Sequence, residues 1–472
     1  MEGAPTPAGN QLTEFETLMW HLERHPQLSS NIANLTILDR APDRDAFTAT
    51  MERASLVFPR LRQRIVEGPG PFSTPRWEPD PDFDITRHVT HLKLRRPSRA
   101  ALHELAVQRA LTPFDRSRPL WEFLIIEGLA GGKAAMLQRL HHTLTDGEGG
   151  LRLSLEFIDF TRDAPPRRPV EAPPAPHTNW WSSMGESLER AARQQLDFAR
   201  RTVDEVAHAV THPTSVVETG AELVELARST ARQASVGVRP MSPLWTQRSL
   251  GRSFDTFDLP LAPAKAAATA LGGTLNDLFV CGAAAGAGRY HDEMHAPADR
   301  LRMAMPISRR ADKSLGGNVF SPTQTAVPTA PMTVEERFRR VHDVLAVAKG
   351  EPPVGSNDLL AGFINLVPTP VLTRAGVRIA GVLDFVTSNL RAAPMDVFMA
   401  GALVESNYPL GPVAGTAFNL TTMSYRGSLC MGVVIDSAAI AEPKRLVRCL
   451  QRSFADLLRA GGQPGEPAVS SR

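Results

Sequence analysis

Lysine is nearly missing from this 472-residue chain: it supplies six of the 52 basic side chains, and arginine supplies the rest. Against 50 acidic residues the formal charge is only +2. That balance lacks the concentrated basic excess of a nucleic-acid binder, so no nucleic-acid partner is expected. Cysteine is also scarce. Cys281, Cys430 and Cys449 are odd in number and far apart, which excludes a CxxC metal pair and a disulfide framework. No uninterrupted apolar run reaches about 18 residues, so no membrane-spanning helix is expected. The opening MEGAPTPAGNQLTEFE has no basic segment followed by an apolar one. An export signal is therefore not expected there, and the cytosol is the default location.

Several catalytic signatures are missing too. There is no GxSxG, hence no nucleophile elbow, and no Walker A motif. Gly286 to His291, GAGRYH, fails the dinucleotide fingerprint because His291 stands where the last glycine belongs. A covalent serine or cysteine mechanism has no support in the sequence. A base that activates the substrate's own nucleophile fits better.

The apolar fraction of 42% and the length predict a globular chain of more than one domain. Residues 1–175 read as mixed α and β. Apolar spacing at Phe15, Leu18, Met19 and Leu22 predicts a helix, NIANLTILDR alternates like a strand, and Ser98 is placed to cap a helix over RAALHELAVQRAL. LWEFLIIEGL and KAAMLQRLHH are apolar runs whose joining glycines suit a hairpin. LRLSLEFIDF is expected to resume a helix. After a proline-rich loop, residues 176–242 read as a helical linker, with Met184, Leu188, Ala192 and Leu196 at helical spacing. Trp180 and Trp181 at its start leave a second reading open, a membrane-surface contact. Residues 243–472 again interleave helices and strands: TLNDLFVCGAAAGAGRYHDE and EPKRLVRCLQRSFADLLRAGG predict helices, RLRMAMPIS and GSLCMGVVID strands.

Leu140 to Gly150, LHHTLTDGEGG, concentrates the chemistry. On a strand, successive side chains point to opposite faces, so His141 and His142 would not serve one substrate atom together. One would face a reaction site and the other would support the wall behind it. A metal is not expected, because no further His/Cys cluster offers convergent ligands. A neutral imidazole, with an ordinary pKa of roughly 6.5, is the natural general base near neutrality. Asp146, four residues on, could orient the ring or brace the loop. Gly147, Gly149 and Gly150 permit unusual backbone angles and close approach of a substrate. The plainer alternative is a polar strand end with an Asp-Gly turn. A second polar pair stands at Asn276-Asp277, where Thr274-x-x-Asp277 is also a helix capping box.

HHxxxDG resembles the signature of acyltransferases of the chloramphenicol-acetyltransferase and condensation-domain type. RPLWE (Arg118 to Glu122), TLNDL (Thr274 to Leu278), MPIS (Met305 to Ser308), GGN (Gly316 to Asn318), Ser388-Asn389 and SYRGSLCMGVVID (Ser424 to Asp436) follow the order seen in bacterial wax ester synthase/diacylglycerol acyltransferases. The opening LTEFETLMWHLE resembles that family too, with Glu16 where an aspartate is usual. The resemblance covers nearly the full chain. It implies an α/β fold of two chloramphenicol-acetyltransferase-like domains, residues 1–175 and 243–472, with a central tunnel and a helical linker. Acyl-CoA would be the co-substrate, with no resident cofactor, and diacylglycerol or a long-chain alcohol the acceptor. His142 would be the general base and Asp146 the residue that shapes its turn, supported by His141, Gly147, Asn276 and Asp277. Trp121, Ser388, Asn389 and Arg391 would be candidates for the tunnel wall. Arg391 departs from the family, which often turns through Pro-Gly after its Ser-Asn, and this bears on the acceptor. Peripheral contact with a membrane or lipid droplet would suit such substrates. Alternatives are another hydroxyl acceptor (a sugar or polyketide), a carrier-protein donor, and a non-catalytic lipid-binding protein.

Overall fold

The computed structural model describes residues 10–67, 75–144, 147–170, 239–307, 321–350, 374, 377–378, 380–412 and 415–465. All of these except Glu67 belong to one compact unit, formed by Met1–Val66, Pro75–Val170 and Val238–Arg472; Glu67–Thr74 and Glu171–Gly237 form another. The linker expected at 176–242, with Trp180 and Trp181, lies outside the described residues apart from its last four positions.

The N-terminal part runs α1 (Glu14–Leu22), β1 (Asn31–Leu38), α2 (Arg44–Val57), β2 (Gln63–Val66), β3 (Arg76–Pro79), β4 (Val89–Lys93), α3 (Arg99–Leu111), β5 (Trp121–Glu127), β6 (Ala134–His141) and α4 (Gly147–Leu155). Local chemistry accounts for several boundaries. Thr13 and Glu16 close a reciprocal capping box on α1, and Ser98 accepts from the Ala101 amide to start α3. The β5–β6 connection turns through Gly131 and Gly132, both at positive φ (70° and 74°), a region a side chain would resist. The helix expected over LRLSLEFIDF starts earlier, at Gly147, and stops at Leu155. Phe157 and Ile158 enter the core instead, and Asp159 exchanges backbone hydrogen bonds with Phe398 at 2.8 Å each way.

Beyond residue 238 come β7 (Arg252–Pro260), α5 (Leu261–Ala270), α6 (Leu275–Glu293), β8 (Arg300–Ile307), β9 (Ser321–Pro328), α7 (Val334–Gly350), β10 (Phe385–Arg391), β11 (Phe398–Met399), β12 (Ala402–Leu410), β13 (Phe418–Tyr425), β14 (Ser428–Asp436) and α8 (Pro443–Ala460). Two six-stranded mixed sheets result, ordered β11-β12-β1-β6-β5-β4 and β7-β14-β13-β10-β8-β9. The first sheet therefore does not close on residues 1–175. β12, from the C-terminal half, pairs antiparallel with β1 along Ala33↔Leu410 to Leu38↔Val404. A division at residue 243 has no place for this exchange; β1 finds its second hydrogen-bonding neighbour more than 360 positions along the chain.

The alternation of β6 serves two cores. Met136 and Leu140 join Trp121, Phe123 and Phe157. Ala135 and Leu137 join Leu102 and Ala106 of α3, Tyr408 of β12, Phe254 of β7 and Val434 of β14. The second cluster thus holds both sheets. Polar ties follow the same seam: Tyr408 donates to Asp258 at 2.8 Å, and Arg99 donates to the Thr256 hydroxyl at 2.8 Å.

Two predictions follow from this seam. A Cβ on Gly432 would stand 2.0 Å from the Pro409 carbonyl oxygen of the crossing β12. Because that neighbour is backbone, Gly432→Ala is expected to lower the unfolding free energy by about 1–3 kcal/mol in urea titration; an unchanged midpoint would show that β12 is not pinned there. His103 of α3 lies edge-on to Phe254 at 5.1 Å and 3.6 Å from Asp255. Burial pushes its pKa down to about 4 from the ordinary 6.5, although Asp255 pulls the other way. The folded state favours neutral His103, so its contribution is present above pH 6.5 and is lost as the pH falls through about 4. Stability should decline across that window, and His103→Gln should flatten the decline; parallel profiles would exclude His103 as its source.

Candidate active site

β6 ends at His141, one residue short of the strand expected from the sequence, because the chain turns at His142. The turn is held from several sides. The His141 amide donates to the Leu120 carbonyl at 3.0 Å, the His142 amide to the Ser30 carbonyl at 3.1 Å, and the Leu144 amide back to the His141 carbonyl at 3.0 Å. α4 then begins at Gly147. Asp146 lies outside the described residues.

The two histidines occupy different environments. His141 is 1% exposed, while His142 is half-buried. Both ring nitrogens of His141 are engaged. Its Nδ1 accepts from the Thr143 amide at 3.2 Å and lies 2.7 Å from the Thr143 hydroxyl, and its Nε2 meets the Glu23 carboxylate. An amide can only donate, so Nδ1 is an acceptor and the ring proton sits on Nε2, where it donates to Glu23. Trp20 closes the pocket edge-on at 6.2 Å. In this geometry His141 has no nitrogen left for a substrate, and His142 is the half-buried member of the pair.

The second set of predicted residues lies on the second sheet and its helices. Asn276, in the first turn of α6, donates to the Met305 sulfur of β8 at 3.4 Å. Asp277 is 1% exposed; it accepts from the Thr274 amide at 2.8 Å and hydroxyl at 2.9 Å, and pairs with His342 of α7 at 2.9 Å. The capping box is therefore real, and Asp277 also ties α6 to α7. Ser388 and Asn389 sit on β10 opposite Thr421 and Thr422 of β13. β10 pairs with β8, the strand that carries Met305.

Trp121 and Arg391, two of the tunnel-wall candidates, lie in the first core and at the end of β10. Trp121 is a core residue, 1% exposed: its indole donates to the Leu61 carbonyl at 2.8 Å and its face stacks on His88 at 4.5 Å. Its apolar bulk and satisfied donor fit the packing of the first sheet. Arg391 does not sit in a tight turn. β10 runs on through it, pairing Arg391 with Ser424, and the Ala392 amide still reaches the Ser424 carbonyl at 3.1 Å. Arg391 is exposed at the strand end, and Ala392 and Ala393 pack against the first core.

Sequence reasoning missed Glu23, Thr143, Trp20 and Arg60 as neighbours of the motif. Glu16, Trp20 and Glu23 are spaced by four and three, the spacing of one helix face, and that was the available signal. Among the described residues, no group of three or more His, Cys, Asp or Glu is placed to hold a metal ion.

A model of the wax ester synthase/diacylglycerol acyltransferase catalytic domain matches residues 12–279, and one of the C-terminal domain of the same family matches residues 316–458. A putative diacylglycerol O-acyltransferase of Mycobacterium tuberculosis is 32% identical over 463 residues, covering 96% of this chain and 93% of the relative. Another putative diacylglycerol O-acyltransferase of that organism is 26% identical over 483 residues, with 97% and 98% covered. Among solved structures, the wax ester synthase/diacylglycerol acyltransferase from Marinobacter aquaeolei VT8 aligns with a TM-score of 0.62 at 20% identity, covering 96% of this chain and all of that one. The first condensation domain of the calcium-dependent antibiotic synthetase aligns with a TM-score of 0.59 at 13% identity over 98% of each chain. These likenesses establish the fold, a mixed α/β architecture of two chloramphenicol-acetyltransferase-like domains. With the catalytic-domain model spanning more than half of the sequence and a relative 32% identical along nearly all of it, the chain belongs to the wax ester synthase/diacylglycerol acyltransferase family.

Proposed function

We propose that the protein transfers the acyl group of an acyl-CoA to the hydroxyl of diacylglycerol or a long-chain alcohol, producing triacylglycerol or a wax ester. Family membership supports the reaction class. The observation that carries the mechanism is the division of labour at the turn, with a buried, doubly bonded His141 beside a half-buried His142. His142 takes the hydroxyl proton as the oxygen attacks the thioester carbonyl. The tetrahedral oxyanion collapses, the carbon–sulfur bond breaks, and the CoA thiolate leaves with the proton held by His142. Acyl-CoA is a co-substrate, and this route calls for no prosthetic group. Asn276 at the start of α6 and Ser388 and Asn389 on β10 are the candidates for contacting substrate.

His142→Ala is expected to reduce CoA release by about 10²–10⁴-fold with diacylglycerol or hexadecanol as acceptor. Undiminished turnover by that variant would remove His142 as the base. Full turnover by the wild type with a sugar but not with either lipid would reassign the acceptor.

The substrates and products are lipophilic, and no helix among the described residues is long and apolar enough to cross a membrane. We further propose peripheral attachment to a lipid surface through Trp180 and Trp181, since tryptophan favours bilayer interfaces. The wild type should float with anionic liposomes and the Trp180→Ala/Trp181→Ala double variant should not; equal behaviour of the two would rule out these anchors.

A further inference from the structure

We propose that one face of α1 is the positioning element of the catalytic turn, and that Glu23 is its principal positioning residue, acting on His142 through His141. The proposal rests on the assignment of His142 as base.

Three residues of that face reach the turn. Glu23, at the C-terminal cap of α1, accepts the His141 Nε2 proton. Trp20, one turn earlier, stands edge-on to the same imidazole at 6.2 Å. Glu16, another turn back, accepts from Arg60 at 2.8 Å, and the same Arg60 nitrogen donates to the Thr143 carbonyl at 3.1 Å. The backbone of His141, His142 and Thr143 is thus approached from the side chain of His141 and from the carbonyl of Thr143 at once. Arg116 braces the face from behind, its guanidinium 3.3 Å from the Trp20 ring centroid and donating to the Trp20 carbonyl at 3.0 Å.

Glu23 also connects to the backbone that holds His142. Its other oxygen accepts from the Ser29 hydroxyl at 3.3 Å, and that hydroxyl accepts from the Asn31 amide at 3.3 Å. Ser30, between them, supplies the carbonyl that receives the His142 amide at 3.1 Å. One carboxylate therefore fixes the tautomer of His141 and the approach of the Ser29–Asn31 segment, the two sides between which His142 is suspended. Fixing a base in this way lowers the barrier through orientation rather than through substrate affinity, and misplacement by about 1 Å can cost about 10²-fold.

The test compares Glu23→Ala, Glu23→Gln and Glu23→Asp with the wild type by kcat, KM for acyl-CoA and thermal midpoint, with His142→Ala in the same assay. Glu23→Ala should lower kcat by about 10- to 100-fold with KM held. Glu23→Gln keeps an acceptor for Nε2–H and should recover most of kcat. Glu23→Asp, which draws the acceptor back by one methylene, should fall between them and serves where the alanine variant does not fold. A purely structural role would lower the thermal midpoint and leave kcat per folded molecule intact; that result, wild-type kcat in Glu23→Asp, or a change confined to KM overturns the proposal. If His142→Ala retains turnover, the base assignment fails whatever Glu23 does. If His142→Ala is inactive while the Glu23 variants keep wild-type kcat, only the positioning role fails.

Discussion

The pairing of β12 with β1 is the constraint on which the rest of the structure depends. β1 is an inner strand of the first sheet only because a segment from the far end of the chain lies along it. Without that partner its amides and carbonyls would line an open edge, which is costly when buried and prone to mispairing when exposed. The same strand lies across the second sheet, where Gly432 leaves room for the Pro409 carbonyl and Tyr408 meets Asp258. The two halves are therefore interlocked by backbone as well as by side chains. Burial pushes the Asp258 carboxyl above its usual range, and the Tyr408 hydroxyl is pushed up beside it. A carboxyl in such a place is tolerable because a hydroxyl is there to donate to it.

Much of the site was legible in the sequence, for physical reasons that differ by residue. Alternation along a strand separates His141 from His142 in the sequence; in the structure β6 stops at His141, and a turn, not alternation, gives His142 its different environment. Thr274-x-x-Asp277 announced a helix start because a capping box is a local device, complete within four residues. Ser98 was readable for the same reason. The long-range contacts were not. Nothing local in Glu23 says that it faces an imidazole 118 positions away. Nothing in ALVESNYPL says that it belongs to the sheet of NIANLTIL, since both alternate acceptably on their own. The departure at Arg391 from the family's usual Pro-Gly turn was visible in the sequence, but its consequence, a strand continued by pairing with Ser424, was not.

The division of the paired histidines also has an energetic logic. A buried imidazole with an unsatisfied nitrogen would be penalised by desolvation, and His141 escapes this by using both nitrogens. Satisfying both removes it from proton transfer. Its value to a reaction lies instead in rigidity: an acceptor nitrogen facing Thr143 and a donor nitrogen facing Glu23 define one ring orientation and one tautomer. The adjacent residue inherits that definition through the backbone.

The closure of the first sheet reaches the same place. β12 fixes β1 on one side, and β1 pairs with β6 on the other, from Leu38↔Ala134 to Asn31↔His141. The last pair of that ladder is the residue before His142, and Ser30, one position before β1 begins, holds the His142 amide. The position of the proposed base is thus set by three segments far apart in sequence: the end of α1 with the start of β1, the end of β6, and the strand that crosses from the other half. β6, which leads into His142, is flanked by β1 and β5, and β1 is in turn held in register by a strand from the C-terminal half of the chain. The crossing strand thus supports, through β1, the ladder that ends beside the proposed base.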